Sequence, residues 1–255
     1  MSRNPGRSIR ARWALAAAVV ATGSLVAGCG GSSTSSTSTT ASPNSTSGAG
    51  DASTRLKALG GSLEAAKNAT FKAVYTSTSS GGGTQTVTLE QAPPKQVFST
   101  TDGSGNVSTL LNTGTATYAC SASPDSAPTC TSMAAAGGAG ALSSLIGVYN
   151  GSAALSVIKG WQSIVAAHLT GVSLTFSNTT LAGQPVRCAK WSYRGSDATY
   201  CVTDAGVLAK VATSGGSGSS ASSSNFELTS FTTSPPASDF ELPAGATVVT
   251  VPTGA

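Results

Sequence analysis

The chain has 255 residues, of which 9% are charged: 14 basic and 10 acidic side chains, with one histidine. An ordinary domain carries about 25% charge, so few groups here are available for acid–base chemistry. The formal net charge of +4 is not a nucleic-acid footprint, because Arg3, Arg7, Arg10 and Arg12 account for it and the remaining basic and acidic residues balance.

Those four arginines lie in "MSRNPGRSIRAR", and the apolar run "WALAAAVVATGSLVAG" follows. A charged head before a short apolar middle is the layout of an export signal, and the run is short for a comfortable membrane span. It ends in Leu25-Val26-Ala27-Gly28-Cys29, which resembles the lipobox of bacterial lipoprotein signals. That resemblance implies cleavage before Cys29 and a diacylglyceride on its sulfur. Residues 1–28 are therefore expected to be a lipoprotein signal peptide, and Cys29 the lipidated first residue of the mature chain. Residues 29–50 are nearly all Ser, Thr, Gly and Ala. With no large apolar side chain to bury, they are expected to be a flexible tether spanning roughly 25 Å. Residues 51–255 are expected to form one domain.

Leu56, Leu59, Leu63 and Ala66 fall at helical spacing in "STRLKALGGSLEAAKNA", capped by Ser53 or Thr54, although Gly60-Gly61 weakens the helix. The period then changes to two. "FKAVYTST" and "TQTVTLEQ", joined by "SSGGG", read as a hairpin. "KQVFST", "NVSTLLN" and "ATYACSA" continue the meander between turn formers. In the middle, Leu142, Leu145, Ile146 and Tyr149 make one helical stripe. Leu155, Ile158, Gln162, Val165 and Leu169, with Trp161 beside them, make a second after Asn150-Gly151. Lys159 is the one formal charge on either helix, so both need wide cover. A second strand run follows: "VSLTFSNTTLAG", "QPVRCAKWSYRG", "ATYCVTD", "GVLAKVATS" and "NFELTSFTT", with Thr213–Ser224 read as a long loop. Helix, strands, two apolar helices and strands again indicate an α+β fold with an antiparallel sheet and helices on one face.

Beyond Cys29 the cysteines number four, and an even count in an exported chain argues for disulfides. Turn formers lie between Cys120 and Cys130 and between Cys188 and Cys201. These favour the two local pairings among three connectivities. No metal site is expected, since neither C-x-x-C spacing nor histidine partners are present. No catalytic residue is expected either. His168 stands alone near a helix end, and the chain has no G-x-S-x-G elbow, P-loop or EF-hand spacing. Nothing in it calls for a cofactor.

The lipobox, the tether, "FKAVYT", "YCVTDAGVL" and the terminal "FELPAGATVV" together resemble actinobacterial lipoproteins of the LolA/LolB-like superfamily, which includes LprG- and LppX-type proteins. The resemblance implies a strongly curved antiparallel sheet, an incomplete barrel, with helices packed on its concave face around an apolar cavity for acyl chains. The expected function is that of a non-enzymatic lipoprotein anchored on the extracytoplasmic face of the cell membrane. It would hold a lipid or other acyl-bearing ligand against Leu145, Ile146, Tyr149, Ile158, Trp161 and Val165. No nucleic-acid partner is expected, and the sequence names no protein partner. The alternative is a docking or sensory module with a filled core, in which the loops 79–83 and 213–224 carry recognition.

Overall fold

A computed structural model describes residues 49–133, 142, 151–167, 170–216 and 221–250. Helix α1 (Ala49–Ala65) starts the fold and ends in a 3₁₀ turn, Ala66–Asn68. Six strands follow as a meander: β1 (Phe71–Ser79), β2 (Gly83–Ala92), β3 (Lys95–Thr101), β4 (Val107–Asn112), β5 (Thr117–Ser123) and β6 (Ser126–Met133). Helix α2 (Ser152–Ala166) precedes a second meander of β7 (Val172–Leu181), β8 (Gln184–Tyr193), β9 (Ser196–Thr203), β10 (Leu208–Gly215) and β11 (Ser222–Thr232). A 3₁₀ turn, Ala237–Phe240, and the short strand β12 (Thr247–Thr250) complete it.

All twelve strands form one sheet, in the order β12-β6-β5-β4-β3-β2-β1-β11-β10-β9-β8-β7. The outermost strands, β12 and β7, do not pair with each other, so the sheet curls without closing. This is the incomplete barrel with helices that the resemblance implied. Every ladder is antiparallel except β12 on β6, which is parallel. Three register shifts, at Val74/Tyr75, Leu208/Lys210 and Ser121/Ser123, supply local bends, because a bulged strand twists more strongly than a regular one.

The apolar stripe of α1 is buried as its spacing requires: Leu56, Leu59 and Leu63 are each at most 3% exposed. They pack with Ala154, Ile158 and Trp161 of α2 against Ala189, Val202 and Leu208 of the sheet. Trp161 stacks on Trp191 with centroids 5.6 Å apart and meets Tyr200 edge-on at 5.3 Å. Gly60 is tolerated in α1 because the helices approach closely there. A Cβ at that position would lie 3.2 Å from Leu155 Cδ1. Across the sheet centre, Tyr75 stacks on Phe226 at 4.2 Å, and its buried hydroxyl donates to the Leu208 carbonyl at 2.9 Å. Leu142 is fully buried in the same central cluster as Tyr75, Val87 and Leu89. The buried Gln91 amide donates to the carbonyls of Lys67 and Ala69 at 2.7 and 2.8 Å, capping acceptors that the end of α1 leaves open.

Three expectations change. The helix starts at Ala49, four residues before the Ser53 expected as a cap, and runs through both glycines. "SAPTCTSM", absent from the strands read in the first meander, is strand β6 and extends it. Thr213–Gly215 and Ser222–Ser224 are strand rather than loop; they pair directly, and the Thr213 and Ser224 hydroxyls lie 2.8 Å apart.

The disulfides are Cys120–Cys130 and Cys188–Cys201, each joining directly opposite residues of neighbouring strands with Cα atoms 4.0 Å apart. Each therefore staples a hairpin. Replacing Cys188 and Cys201 together by Ser should lower the unfolding free energy by about 3 kcal/mol, the loop-closure contribution for a loop of this length. Denaturant titration of the two forms measures it. A second substitution tests the seat of α1. Gly206 has φ 81°, and a Cβ there would run into the Ser62 carbonyl. Gly206→Ala should cost about 3 kcal/mol, combining left-handed strain with displacement of the helix.

Candidate functional site

The space between the helices and the sheet is where the sequence places a ligand. Ile158 is fully buried and Trp161 is 6% exposed, both inside the helix–sheet cluster; Val165 packs half-buried at its margin. Leu145, Ile146 and Tyr149 lie outside the described residues, as do Cys29 and His168. Among the cavities lined by described residues are three that Ile158, Trp161 and Val165 do not line.

The smallest is an apolar notch of about 160 Å³ between α1 and the β7–β8 hairpin. Leu59, Ala58 and Phe176 form its apolar walls, with Arg55 and Arg187 beside them. Arg55 pairs with Asp51 at 3.0 Å and lies over the Phe176 ring, 5.5 Å from its centroid. Arg187 donates from Nη2 to Ser62 Oγ at 2.8 Å; its Nε is buried without a hydrogen bond and lies 3.6 Å from Asp204 Oδ1.

The other two cavities are open polar clefts on the sheet face turned away from the helices. Residues opposite one another in a ladder share a face. The ladders therefore set Lys190, Thr199, Ala212, Asn225 and Thr78 in one row across five strands. This row floors a trough of about 520 Å³ bordered by Ser and Thr hydroxyls and the Lys190–Asp197 ion pair at 2.9 Å.

The second cleft, about 600 Å³, lies where residues 238–244 cross β1–β4. There Lys72 Nζ reaches Asp239 Oδ2 at 2.7 Å and Glu90 Oε1 at 3.1 Å. Phe240 packs on Val97 and Leu111 below. Glu90 is 5% exposed, and its Oε2 has no hydrogen-bond partner when the group is ionised. Burial, reinforced by the neighbouring Asp239 carboxylate, pushes Glu90 up to about 7 despite Lys72. A proton on Glu90 lets it donate to Asp239. Burial acts against charge on Lys72 and on Asp239 too, but their mutual hydrogen bond wins. It holds Lys72 above its ordinary value and Asp239 below. The three residues join the C-terminal segment to the sheet, and sequence reasoning missed them. Glu90 and Asp239 are far apart in the chain, and the alternation of β2 says only that Glu90 shares a face with Thr88. Among the described residues, no group of three or more His, Cys, Asp or Glu is placed to hold a metal.

No family model and no curated protein matches the chain. Among solved structures it is similar to MucB in complex with MucA(peri), at 17% identity and a TM-score of 0.36, covering 80% of this chain and 62% of that one. It is also similar to PNGF-II in two crystal forms, at 12% identity and a TM-score of 0.30, covering 72% of this chain and 31–32% of the other. The chain thus spans less than two thirds of each of these neighbours. Likeness of this degree lends nothing to a functional reading.

Glu90 makes stability depend on pH with a definite sign. Its folded pKa, about 7, lies above the unfolded value of 4.5. The stabilisation linked to its proton is complete below 4.5 and is lost as pH rises through 7. Unfolding free energy should fall by about 3 kcal/mol across that window. Glu90→Gln should flatten the profile and be the more stable form at pH 8. Denaturant melts at half-unit pH steps decide it.

Proposed function

We propose that the chain is a lipid-anchored module of the extracytoplasmic membrane face that acts by docking through the exposed surfaces and edges of its half-barrel. The space between helices and sheet is then its structural core. The observation that carries this reading is the close packing of the described residues in that space. Of the described residues expected to contact an acyl chain, Ile158 and Trp161 are buried among Leu56, Leu59, Leu63 and Ala189, and Val165 packs half-buried at the margin. The apolar notch of about 160 Å³ is smaller than the roughly 300 Å³ at which small-molecule pockets begin. The scarcity of charge and the lone His168 support binding rather than catalysis.

Native mass spectrometry of the chain purified from its host membrane should give the protein plus covalent acyl mass and nothing else. Metabolic labelling with an alkyne palmitate should mark the wild type, and Cys29→Ser should abolish the label. A noncovalent lipid at one per chain would overturn the filled-core reading.

That outcome would favour a second reading, a LolA-like carrier of acyl ligands. The notch supports it, since an apolar wall beside two guanidiniums suits an anionic amphiphile. In that case Val165→Trp should reduce the co-purified lipid.

A further inference from the structure

The two edges of the sheet are built differently. β12 has four residues, a length that limits pairing with other chains. β7 runs for ten, "VSLTFSNTTL", and pairs with β8 at every position without a bulge. It contains no charged residue, no proline and no glycine. Long edge strands are ordinarily blunted by one of these devices, because their free N–H and C=O groups template the pairing of another strand.

The turn after β7 fixes which groups are free. Ala182 and Gly183 have φ 49° and 73°, the positive pair of a two-residue I′ hairpin. Such a turn makes Leu181 and Gln184 a hydrogen-bonded pair, and bonding to β8 then recurs at every second residue. The N–H and C=O groups of Leu174, Phe176, Asn178 and Thr180 therefore point away from the sheet. Among the described residues, no backbone hydrogen bond outside the β7–β8 ladder reaches them.

The same residues face the helices with their side chains, and Leu174 and Phe176 pack against the helix–sheet core. An added strand would extend that core with its own alternate apolar side chains. The notch lies on this side, against Phe176, Ser177 and Asn178. Its apolar walls and its two arginines match an acidic side chain with an apolar stem. Asp51 and Asp204, the present partners of Arg55 and Arg187, are at least half exposed, and exposed pairs hold weakly.

Resting on the docking reading above, we infer that β7 receives, by strand addition, an extended segment of a partner protein. That segment alternates apolar residues and places an Asp or Glu at the notch. Such recognition takes affinity from main-chain bonds and specificity from pockets for alternate side chains. A second copy of this chain suits the site less well, because β7 has no acid to set against the arginines.

The probe is a random dodecapeptide display library, selected on the full chain in detergent micelles. Selected peptides should alternate apolar residues around one acid and should slow hydrogen exchange at Leu174, Phe176, Asn178 and Thr180. N-methylation of the peptide amides that pair should abolish binding. Asn178→Pro, which removes only an outward N–H, should do the same with the fold retained; Asn178→Lys serves if that variant does not fold. Arg187→Glu should weaken the acid-bearing peptide at least tenfold, and exchanging the peptide acid for Lys should restore binding to that variant. Peptides that bind while β7 stays unprotected would overturn the β7 assignment and leave the docking reading intact. Failure to select any peptide would overturn the assignment as well. A dimer by sedimentation, with β7 protected before any peptide is added, would replace the partner by a second copy. The docking reading itself stands or falls on the lipid mass measurement.

Discussion

Burial of the leucine stripe of α1 is the interaction on which the rest of the molecule depends. Leu56, Leu59 and Leu63 touch α2 on one side and the β8–β10 surface on the other. Each contributes about 2 kcal/mol by leaving water. Without α1, the apolar faces of α2 and of β7–β10 would lack a common cover. The close approach at Gly60 and the fit of Gly206 under Ser62 both serve this seat. So does Gln91, which reaches from β2 to the carbonyls at the helix end.

On the far side of the sheet the construction differs. The few charges are gathered into short cross-strand or cross-segment pairs, such as Lys210 with Glu227 at 2.6 Å and Lys190 with Asp197. The one carboxylate buried deeply, Glu90, sits where the C-terminal segment is secured by Asp239 and Phe240. An apolar contact and a proton-sensitive one thus hold the same segment. The helix side is held by packing, and the opposite face by hydroxyls and ion pairs laid along the ladders.

Much of this was legible in the sequence because period-two alternation is a local signal. Phe71, Ala73 and Tyr75 against Lys72, Val74 and Thr76 announce a strand and its buried face without knowledge of any partner. Where composition opposes the ladder, the reading failed. Pro128 and its serines hid β6, whose position is set by pairing with β5. The glycines and serines of 213–224 hid the ends of β10 and β11, which pair across the same hairpin. The parallel docking of β12 on β6 joins residues more than a hundred positions apart, and no local pattern encodes it. The candidate surfaces follow the same division. The packing of α1 on α2 and the sheet is written in leucine spacing, whereas the Lys72–Glu90–Asp239 cluster and the free edge of β7 arise only once the sheet order is known.

That order places the first strand at the middle of the sheet, between β2 and β11. Its second neighbour is about 150 residues further along the chain, so the early meander cannot find its last hydrogen-bonding partner until synthesis is nearly finished. During that interval β1 is itself a raw border, and non-local pairing of this sort is slow to nucleate. A nascent chain of this design has to be kept apart from its copies until β11 arrives, and truncation before Ser222 would leave the borders of β1 and β10 open to association.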